Sequence, residues 1–222
     1  MTADPWVQYL VVRKDHPLTL AGAMAVAGAG AVRCRDRFRA DPRWAEAFAA
    51  WEPRPRKVAL RADAGDIERL RTTLDAEPVA TTLGETLLAL PPRRRSESEP
   101  LLAALRPYTD PPRPPADGAP AELEAGGPAL VYVVRPGVLR TAGKAMAQAG
   151  HAALLCVREL GPHHPEAFAA WRAGGMAGAL REVDDAEWAA LRGSPDAVVV
   201  ADAGLTQVEP GTETVIALPP TG

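Results

Sequence analysis

The sequence predicts an α/β protein made of two tandem α/β/α domains, each a small mixed β-sheet with helices on both faces. Segments of the first half recur in the second half, and a proline- and arginine-rich segment separates the two copies. In each copy the predicted elements follow the order strand, helix, helix, strand, helix, strand, strand. This order favours a mixed sheet with helices packed on its faces.

The internal repeat consists of three blocks that occur in the same order in both halves. Residues 10–13 (LVVR) match residues 132–135 (YVVR) at an offset of 122. The other two blocks pair residues 46–51 with 166–171 and residues 89–92 with 217–220. A solenoid needs several short repeats to bury its core, whereas this unit spans about 90 residues and occurs twice. Tandem domains therefore describe the chain better.

Domain boundaries follow from the repeat. We predict a first copy over residues 1–92, a Pro/Arg-rich linker over residues 93–127 and a second copy over residues 128–222. Proline at the density of residues 111–115 (PPRPP) disfavours helix and sheet, and it favours extended chain. Residues 101–105 are apolar enough to form one turn docked on a domain.

The first strand and the two helices after it have clear signals. Each copy opens with a short apolar run rich in β-branched and aromatic residues, over residues 7–13 and 129–135. Residues 142–159 are small and lack proline, which predicts a helix packed closely on the sheet. Pro165 stands at a favoured first-turn position of the next helix, whose apolar face contains Phe168 and Trp171.

The remaining elements of the second copy are shorter. Residues 179–183 favour a strand, and Asp184 has the character of an N-cap before an acidic first turn that leads into Trp188. Two strands, residues 197–201 and 214–218, complete the predicted sheet.

Composition narrows the class of protein. The 222 residues are 47% apolar, which suffices for ordinary cores. No apolar run reaches the ~20 residues of a membrane helix, and the N-terminus lacks the pattern of a secretory signal, so we expect a cytoplasmic protein without membrane contact. The two cysteines, one per copy, lack metal-ligand spacing and are expected to be reduced and buried. A formal net charge of −3 does not indicate a nucleic-acid binder.

Two long motifs give the second copy a specific resemblance. Residues 143–152 read GKAMAQAGHA, and residues 202–215 read DAGLTQVEPGTETV. They resemble the type 2 (archaeal and eukaryotic) peptidyl-tRNA hydrolases, which share a G-K-x-x-A-Q-x-x-H-A helix start and a D-A-G-x-T-x-(I/V)-x-P-G-(S/T)-x-T-V signature. The resemblance covers about residues 128 to 220. Two long motifs in order indicate homology more strongly than activity.

This resemblance implies aminoacyl-tRNA hydrolase activity in translation: water cleaves the ester between a peptide and the 3′-terminal ribose of tRNA, without a metal or an organic cofactor. The implied partner is peptidyl-tRNA. The implied catalytic residues are Lys144, Asp202, Thr206 and Thr214. The implied substrate-binding residues are Gln148, His151, Arg135 and Gly204.

The chemistry of that residue set fits ester hydrolysis. An ammonium near a helix N-terminus stabilises a developing oxyanion or holds a phosphate. Asp202 then orients Lys144 or a water molecule, which the threonine hydroxyls help to position. No Ser or Cys with a general-base partner is evident, so we expect direct attack by water. Each residue also has a structural interpretation, as a solvated lysine, a turn aspartate, a helix-packing side chain or a strand threonine.

Two features favour a rival interpretation. Residues 136–140 (PGVLR) stand where the family has an (N/T)-D-L-K-M segment, and residues 121–222 contain seven basic and twelve acidic residues, a net charge of −5. Because phosphate neutralisation supplies most non-specific affinity for nucleic acid, this charge disfavours tRNA binding. The alternatives are a non-catalytic binding or scaffold module that keeps the fold, and hydrolysis of a small acyl ester without tRNA.

The first copy has lost the motif residues. Gly22, Val26 and Ala29 occupy the positions of the lysine, glutamine and histidine, so we expect a degenerate copy. Residues 1–92 contain 13 basic and 12 acidic residues, and the alternating arginines of residues 33–39 are either phosphate contacts or a solvated helix end. Type 2 hydrolases are commonly homodimers, which implies that this tandem chain is monomeric and folds as an intramolecular pseudo-dimer.

Overall fold

The computed structural model describes residues 4–16, 18–81, 84–114, 127–202 and 211–221. Within these ranges, the first half contains four strands and three helices. In chain order they are β1 (Trp6–Arg13), α1 (Leu20–Phe38), α2 (Ala45–Trp51), β2 (Arg56–Ala62), α3 (Ala64–Thr73), β3 (Glu77–Thr81) and β4 (Gly84–Ala89). They follow the predicted order of elements.

The second half repeats that order after a connecting segment. The connecting segment contains β5 (Arg93–Arg94), a 3-10 turn (Arg95–Glu97), α4 (Pro100–Ala104) and β6 (Arg106–Pro107). The second half consists of β7 (Ala129–Val134), α5 (Ala142–Glu159), α6 (Pro165–Ala173), β8 (Ala177–Glu182), α7 (Asp185–Arg192), β9 (Val198–Ala201) and β10 (Glu213–Thr221).

Each half has its own mixed sheet, as the sequence predicts. The strand orders are β3-β4-β1-β2 in the first sheet and β9-β10-β7-β8 in the second. The pairs β1/β2 and β7/β8 are parallel, whereas the pairs that involve β4 and β10 are antiparallel. The two sheets therefore share one topology.

The residues assigned to a linker contribute to the first sheet. β5 pairs with β1, and β6 pairs with β2. Leu102 of α4 is buried on the outer face of that sheet, so the apolar turn expected over residues 101–105 is docked. Part of the connecting segment thus has a fixed place in the fold, and the domain boundaries themselves stay a prediction.

Alternating side chains of the first strands divide each half into two layers. Leu10 and Val12 of β1 point to the face covered by α1, whereas Tyr9 and Val11 point to the face covered by α3. In β7, Tyr132 and Val134 face the same inner core as α5, and Val133 packs with Trp188 of α7. Since successive side chains of a strand point to opposite faces, each sheet is covered by helices on both sides.

α1 and α5 lie between the two sheets and contact each other. A single cluster of buried apolar residues includes side chains from both helices and both sheets. Close approach depends on Gly28 of α1, where a Cβ atom would lie 1.7 Å from the Tyr132 hydroxyl. α1 also contacts β8, and α5 contacts β2, so each central helix touches the other half's sheet.

The helix starts confirm several sequence-based predictions. α5 has the predicted bounds, and the Thr141 side chain caps it by accepting a hydrogen bond from the Lys144 amide at 3.3 Å. Asp184 caps α7 in the same way, through the Glu187 amide at 2.9 Å. Both cysteines are buried free thiols. Within the described ranges, no helix combines the length and apolar character needed to cross a bilayer.

Candidate active site

One face of α5 gathers the residues of the first motif. Lys144, Gln148 and His151 recur at the spacing of successive helical turns, and two further positions, Leu155 and Arg158, continue the same face. All five side chains line one cleft. The G-K-x-x-A-Q-x-x-H spacing therefore aligns its polar residues along the wall of a cleft, as helical periodicity requires.

Lys144 and Asp202 form a buried ion pair at one end of this face. Asp202 directly follows β9, and the Lys144 ammonium donates to its Oδ2 atom. The two residues are only 8% and 6% exposed. Backbone bonds fix Asp202: its amide donates to the Thr212 carbonyl at 2.8 Å, and its carbonyl accepts from the Gly211 amide at 2.8 Å. The structure thus brings together two motif residues that are 58 positions apart.

Gln148 completes this cluster. Its side-chain amide donates to the same Oδ2 atom of Asp202 at 2.6 Å, one helical turn after Lys144. Hydrogen bonds to an ionised acceptor are short and stronger than neutral ones. The carboxylate is therefore held from two sides, and Gln148 is suited to position Asp202.

His151 lies one turn further along the cleft. Burial lowers its pKa to about 3, and the positive charges of Lys57 and Arg158 act in the same direction. The imidazole is therefore neutral near pH 7. In that state it offers one donor and one acceptor to a ligand and contributes no positive charge.

The cleft has a volume of about 690 Å³ and lies between the two halves of the chain. The wall formed by the C-terminal half consists of α5 together with Ala201 and Asp202. Its other wall consists of residues 52–59, from the end of α2 into β2, and residues 107–109. The sequence motifs of the C-terminal half do not indicate this other wall. The signal for it in the sequence is the basic run of residues 54–57 (RPRK).

The backbone amides at the start of α5 are already occupied. The Ala142 amide donates to the Asp110 carbonyl at 2.9 Å, and the Gly143 amide donates to the Tyr108 carbonyl at 3.1 Å. Only glycine fits here, because a Cβ atom on Gly143 would lie 2.1 Å from the Tyr108 oxygen. These two amides are therefore not available to an anion, and the positive group of the site is the Lys144 ammonium.

Two of the expected site residues lie elsewhere. The Arg135 guanidinium stacks over the Trp188 ring at 4.8 Å and donates to the Glu213 carbonyl at 3.2 Å, on the side of the sheet covered by α7. The buried Thr214 hydroxyl donates to the Val200 carbonyl at 3.2 Å. Neither residue is among the described residues that line the cleft. Thr206 and Gly204 lie outside the described residues.

Three of the alternating arginines of residues 33–39, Arg35, Arg37 and Arg39, are engaged in ion pairs. Arg37 binds Glu77 at 2.9 Å, and Arg39 binds Glu52 at 2.7 Å. The basic groups that the N-terminal half presents to the cleft come instead from residues 54–57. Across the described ranges, no three His, Cys, Asp or Glu side chains are grouped so that they could hold a metal ion.

Comparison with known proteins gives a family match for the C-terminal part of the chain. The family model described as "Peptidyl-tRNA hydrolase PTH2" matches residues 129–222, which begin at β7 and include α5 and Asp202. The match supports a type 2 peptidyl-tRNA hydrolase domain in this part of the chain. None of the curated proteins searched matches the chain.

Proposed function

We propose that the C-terminal domain hydrolyses the ester bond of peptidyl-tRNA with water, and that Lys144 and Asp202 are its catalytic residues. The observation that carries this proposal is the cluster of Lys144, Gln148 and Asp202 on the wall of a cleft large enough for a ligand. The family match supports the substrate class.

The reaction follows from the charges that each group can stabilise. A water oxygen attacks the ester carbonyl carbon, and negative charge develops on the carbonyl oxygen. The Lys144 ammonium stabilises that charge, because a preorganised cation in a site of low polarity acts strongly on a developing oxyanion. The bond between the carbonyl carbon and the ribose 3′ oxygen then breaks. One proton of the attacking water is transferred to the 3′ oxygen, which becomes a hydroxyl, and the other remains as the acid proton of the released peptide.

Asp202 and Gln148 keep the ammonium in place. The carboxylate accepts from Lys144 and Gln148 and is fixed by the backbone bonds on either side of it. In the proposed reaction Asp202 orients Lys144 and the attacking water, whereas Gln148 acts only through Asp202. Thr206 and Thr214 remain proposals as water-positioning residues, with the Thr214 hydroxyl engaged by the Val200 carbonyl.

We also propose that the chain arose by tandem duplication and packs as a pseudo-dimer with a degenerate first copy. The common strand order of the two sheets supports this proposal. So does a repeated aromatic contact: Phe48 and Trp51 meet edge to face at 6.1 Å, and Phe168 and Trp171 do so at 6.0 Å. The reciprocal packing of α1 on β8 and of α5 on β2 has the form expected for two related subunits.

A non-catalytic module is the second candidate, and one observation favours it. The side chains of Lys144 and Asp202 are only 7% and 5% exposed and satisfy each other. A scaffold that had lost its substrate would also keep such a pair, because removing one partner of a buried ion pair leaves an uncompensated charge at a cost of about 3–5 kcal/mol.

The test is release of labelled peptide from peptidyl-tRNA by the full chain. We expect turnover by the wild type and a loss of about 10²- to 10³-fold in Lys144→Ala, the size of effect seen when a preorganised oxyanion donor is removed. Lys14→Ala is the matched control, because Lys14 is an exposed lysine that is also paired with an aspartate, Asp63 at 3.6 Å. Its turnover should equal that of the wild type.

Unfolding of the single variant would mimic loss of catalysis, so a second variant is needed. Lys144→Met with Asp202→Leu removes both charges together, and such replacements usually preserve folding. We expect a folded, inactive protein by circular dichroism and by the release assay. Turnover in the folded double variant would reject Lys144 and Asp202 as the catalytic residues. No release by the wild type at any enzyme concentration would reject the hydrolase proposal.

A further inference from the structure

The wall that the N-terminal half contributes to the cleft is strongly basic. Arg54, Arg56 and Lys57 line it within four consecutive residues, and Glu52 is the acidic residue on the same wall. Glu52 is already bound by Arg35 of α1 and by Arg39, which follows that helix. The protein as a whole has a net charge of −3, so this local positive charge runs against the overall balance.

The two arginines of this wall are available for a ligand. Both are exposed, and neither forms an ion pair within the described ranges. Other arginines of the described residues are paired with carboxylates, for example Arg61 with Asp110 and Arg43 with Asp75. Arginine side chains that point into a cleft without a carboxylate partner are typical of sites for phosphate groups.

The corresponding segment of the other half carries no charge. Val7 of β1 pairs with Arg56, and its counterpart Ala129 of β7 pairs with Ala177, which aligns the two segments. The counterpart of residues 54–57 therefore lies within residues 174–178 (GGMAG). α1, which contacts β8 there, has Gly22, Val26 and Ala29 in place of the polar face of α5. The basic wall and the polar helix face thus occur together where β2 meets α5, and neither occurs at the equivalent contact between β8 and α1.

We propose that Arg54 and Arg56 bind phosphate groups of the single-stranded 3′ end of an RNA substrate, so that the degenerate half forms the nucleic-acid-binding wall of the site. This inference rests on the proposed function, because it names the half of the chain that holds the nucleotide part of that substrate. It also removes the difficulty posed by the acidic C-terminal domain, since the positive charge comes from the other half.

The length of the cleft fits a strand rather than a single nucleotide. The lining face of α5 runs from Lys144 to Arg158, which is about 21 Å at 1.5 Å per residue. Arg158 lines the end distant from Asp202. The ester therefore lies at the Lys144 end, and the phosphates lie along residues 54–56 towards Arg158.

Lys57 has a different role from the two arginines. Its ammonium stacks over the Trp51 ring at 4.6 Å, and its stem lies against Gly150 of α5. The ammonium nitrogen is buried and has no hydrogen-bond partner among the described residues. Lys57 therefore joins the two halves, and the proposed phosphate contacts are restricted to Arg54 and Arg56.

The experiment measures binding separately from hydrolysis. The affinity of the full chain for fluorescently labelled, uncharged tRNA is measured by anisotropy between 50 and 200 mM salt. For Arg54→Gln with Arg56→Gln we expect about tenfold weaker binding at low salt. The salt slope, which is the slope of log K against log salt concentration, should fall in magnitude by about 1.4, because each phosphate contact on a single strand contributes about 0.7. Arg54→Lys with Arg56→Lys should restore most of the affinity, because it keeps both charges.

The matched control removes the same charge elsewhere. Arg69→Gln with Arg95→Gln changes two exposed arginines that do not line the cleft, and it should leave affinity and salt slope within twofold of the wild type. A second readout uses an N-acyl-aminoacyl adenosine, an ester without phosphates. Its hydrolysis should be unchanged in the Arg54/Arg56 variant, whereas KM for peptidyl-tRNA should rise about tenfold.

The outcomes separate this inference from the proposed function. Unchanged affinity and salt slope in the Arg54/Arg56 variant would overturn the inference even if the protein hydrolyses peptidyl-tRNA. An equal loss in the control variant would overturn it as well, because the effect would then reflect net charge alone. Weaker tRNA binding only in the Arg54/Arg56 variant, in a protein that hydrolyses neither ester, would support the inference and reject the catalytic proposal.

Discussion

The two halves of this chain share their architecture and differ in their chemistry. Both have the same order of elements, the same strand order and the same edge-to-face pair of aromatic rings under the sheet. They differ on one face of the central helix, where α5 carries Lys144, Gln148 and His151 and α1 carries Gly22, Val26 and Ala29. Positions that pack the core are thus alike in the two halves, whereas the helix positions that face the cleft in one half differ in the other.

The largest expected effect tests whether the halves are equal in stability. Trp51 and Trp171 are both almost fully buried, and each indole donates to the backbone at the start of a parallel strand, β2 or β8. Trp51→Ala and Trp171→Ala should each lower the free energy of unfolding by about 3–5 kcal/mol. Urea unfolding monitored by circular dichroism measures both.

The shape of those unfolding curves sharpens the comparison. Because one apolar cluster includes α1, α5 and both sheets, we expect a single transition in the wild type and in both variants. Two separate transitions, each shifted by only one of the tryptophan variants, would show that the halves are independent domains and would contradict a shared core.

A smaller effect distinguishes the starts of the two central helices. Gly143→Ala forces a Cβ atom against the Tyr108 carbonyl and should lower the free energy of unfolding by about 2 kcal/mol, through the lost backbone hydrogen bond and the clash. At Gly22 in the first turn of α1, the nearest atom to an added Cβ is Thr19 Oγ1 at 3.3 Å. Gly22→Ala should therefore be neutral or should stabilise the protein by up to about 1 kcal/mol.

Thermal unfolding of these two glycine variants provides the measurement. A Gly143→Ala protein as stable as Gly22→Ala would show that residues 108–110 do not hold the start of α5. Peptide release by Gly143→Ala adds a second readout, because displacement of Tyr108 also disturbs the cleft that Tyr108 and Gly143 both line.

The smallest expected effect concerns Lys57, the lysine between the halves. Burial lowers its pKa to about 7, with the nearby Cys34 acting in the opposite direction, and His151 is the titratable group facing it from α5. The folded state therefore disfavours the charged ammonium. Lys57→Met should raise the free energy of unfolding at pH 6 by about 1–2 kcal/mol, after loss of the stacking on Trp51.

The pH dependence gives this prediction its sign. Between pH 7 and the usual lysine pKa near 10.5, the unfolded chain binds a proton that the folded protein does not. The free energy of unfolding of the wild type therefore rises with pH through this range. The advantage of Lys57→Met should accordingly shrink from pH 6 to pH 9.5 in urea titrations. An advantage that grows with pH would contradict a buried, destabilised ammonium.

Much of the fold was predictable because it depends on local patterns. The small-residue run of α5, the Asp184 cap and the proline at the start of α6 are signals that a sequence shows directly. For the sheets, the sequence predicted only that each is mixed, and it did not predict the order of the strands. The inclusion of β5 and β6 in the first sheet was not predicted, since two-residue strands carry no periodicity.

The candidate site was predictable only in part. Lys144, Gln148 and Asp202 belong to motifs, and the structure brings them together. Arg135 precedes these motifs and Thr214 belongs to the second, yet the side chains of both bind groups outside the described cleft wall. The opposite wall comes from residues about 90 positions earlier in the chain, and no spacing rule connects residues that belong to different halves of the chain.

Assembly of the cleft from both halves has a consequence for how the site depends on concentration. In a homodimer, a site shared between subunits is lost on dilution, when the subunits dissociate. Here β2 and α5 belong to one polypeptide, so the two walls meet at an effective concentration set by the connecting chain, on the order of millimolar for short flexible connections. The completeness of the cleft is therefore independent of how much of the protein a cell contains.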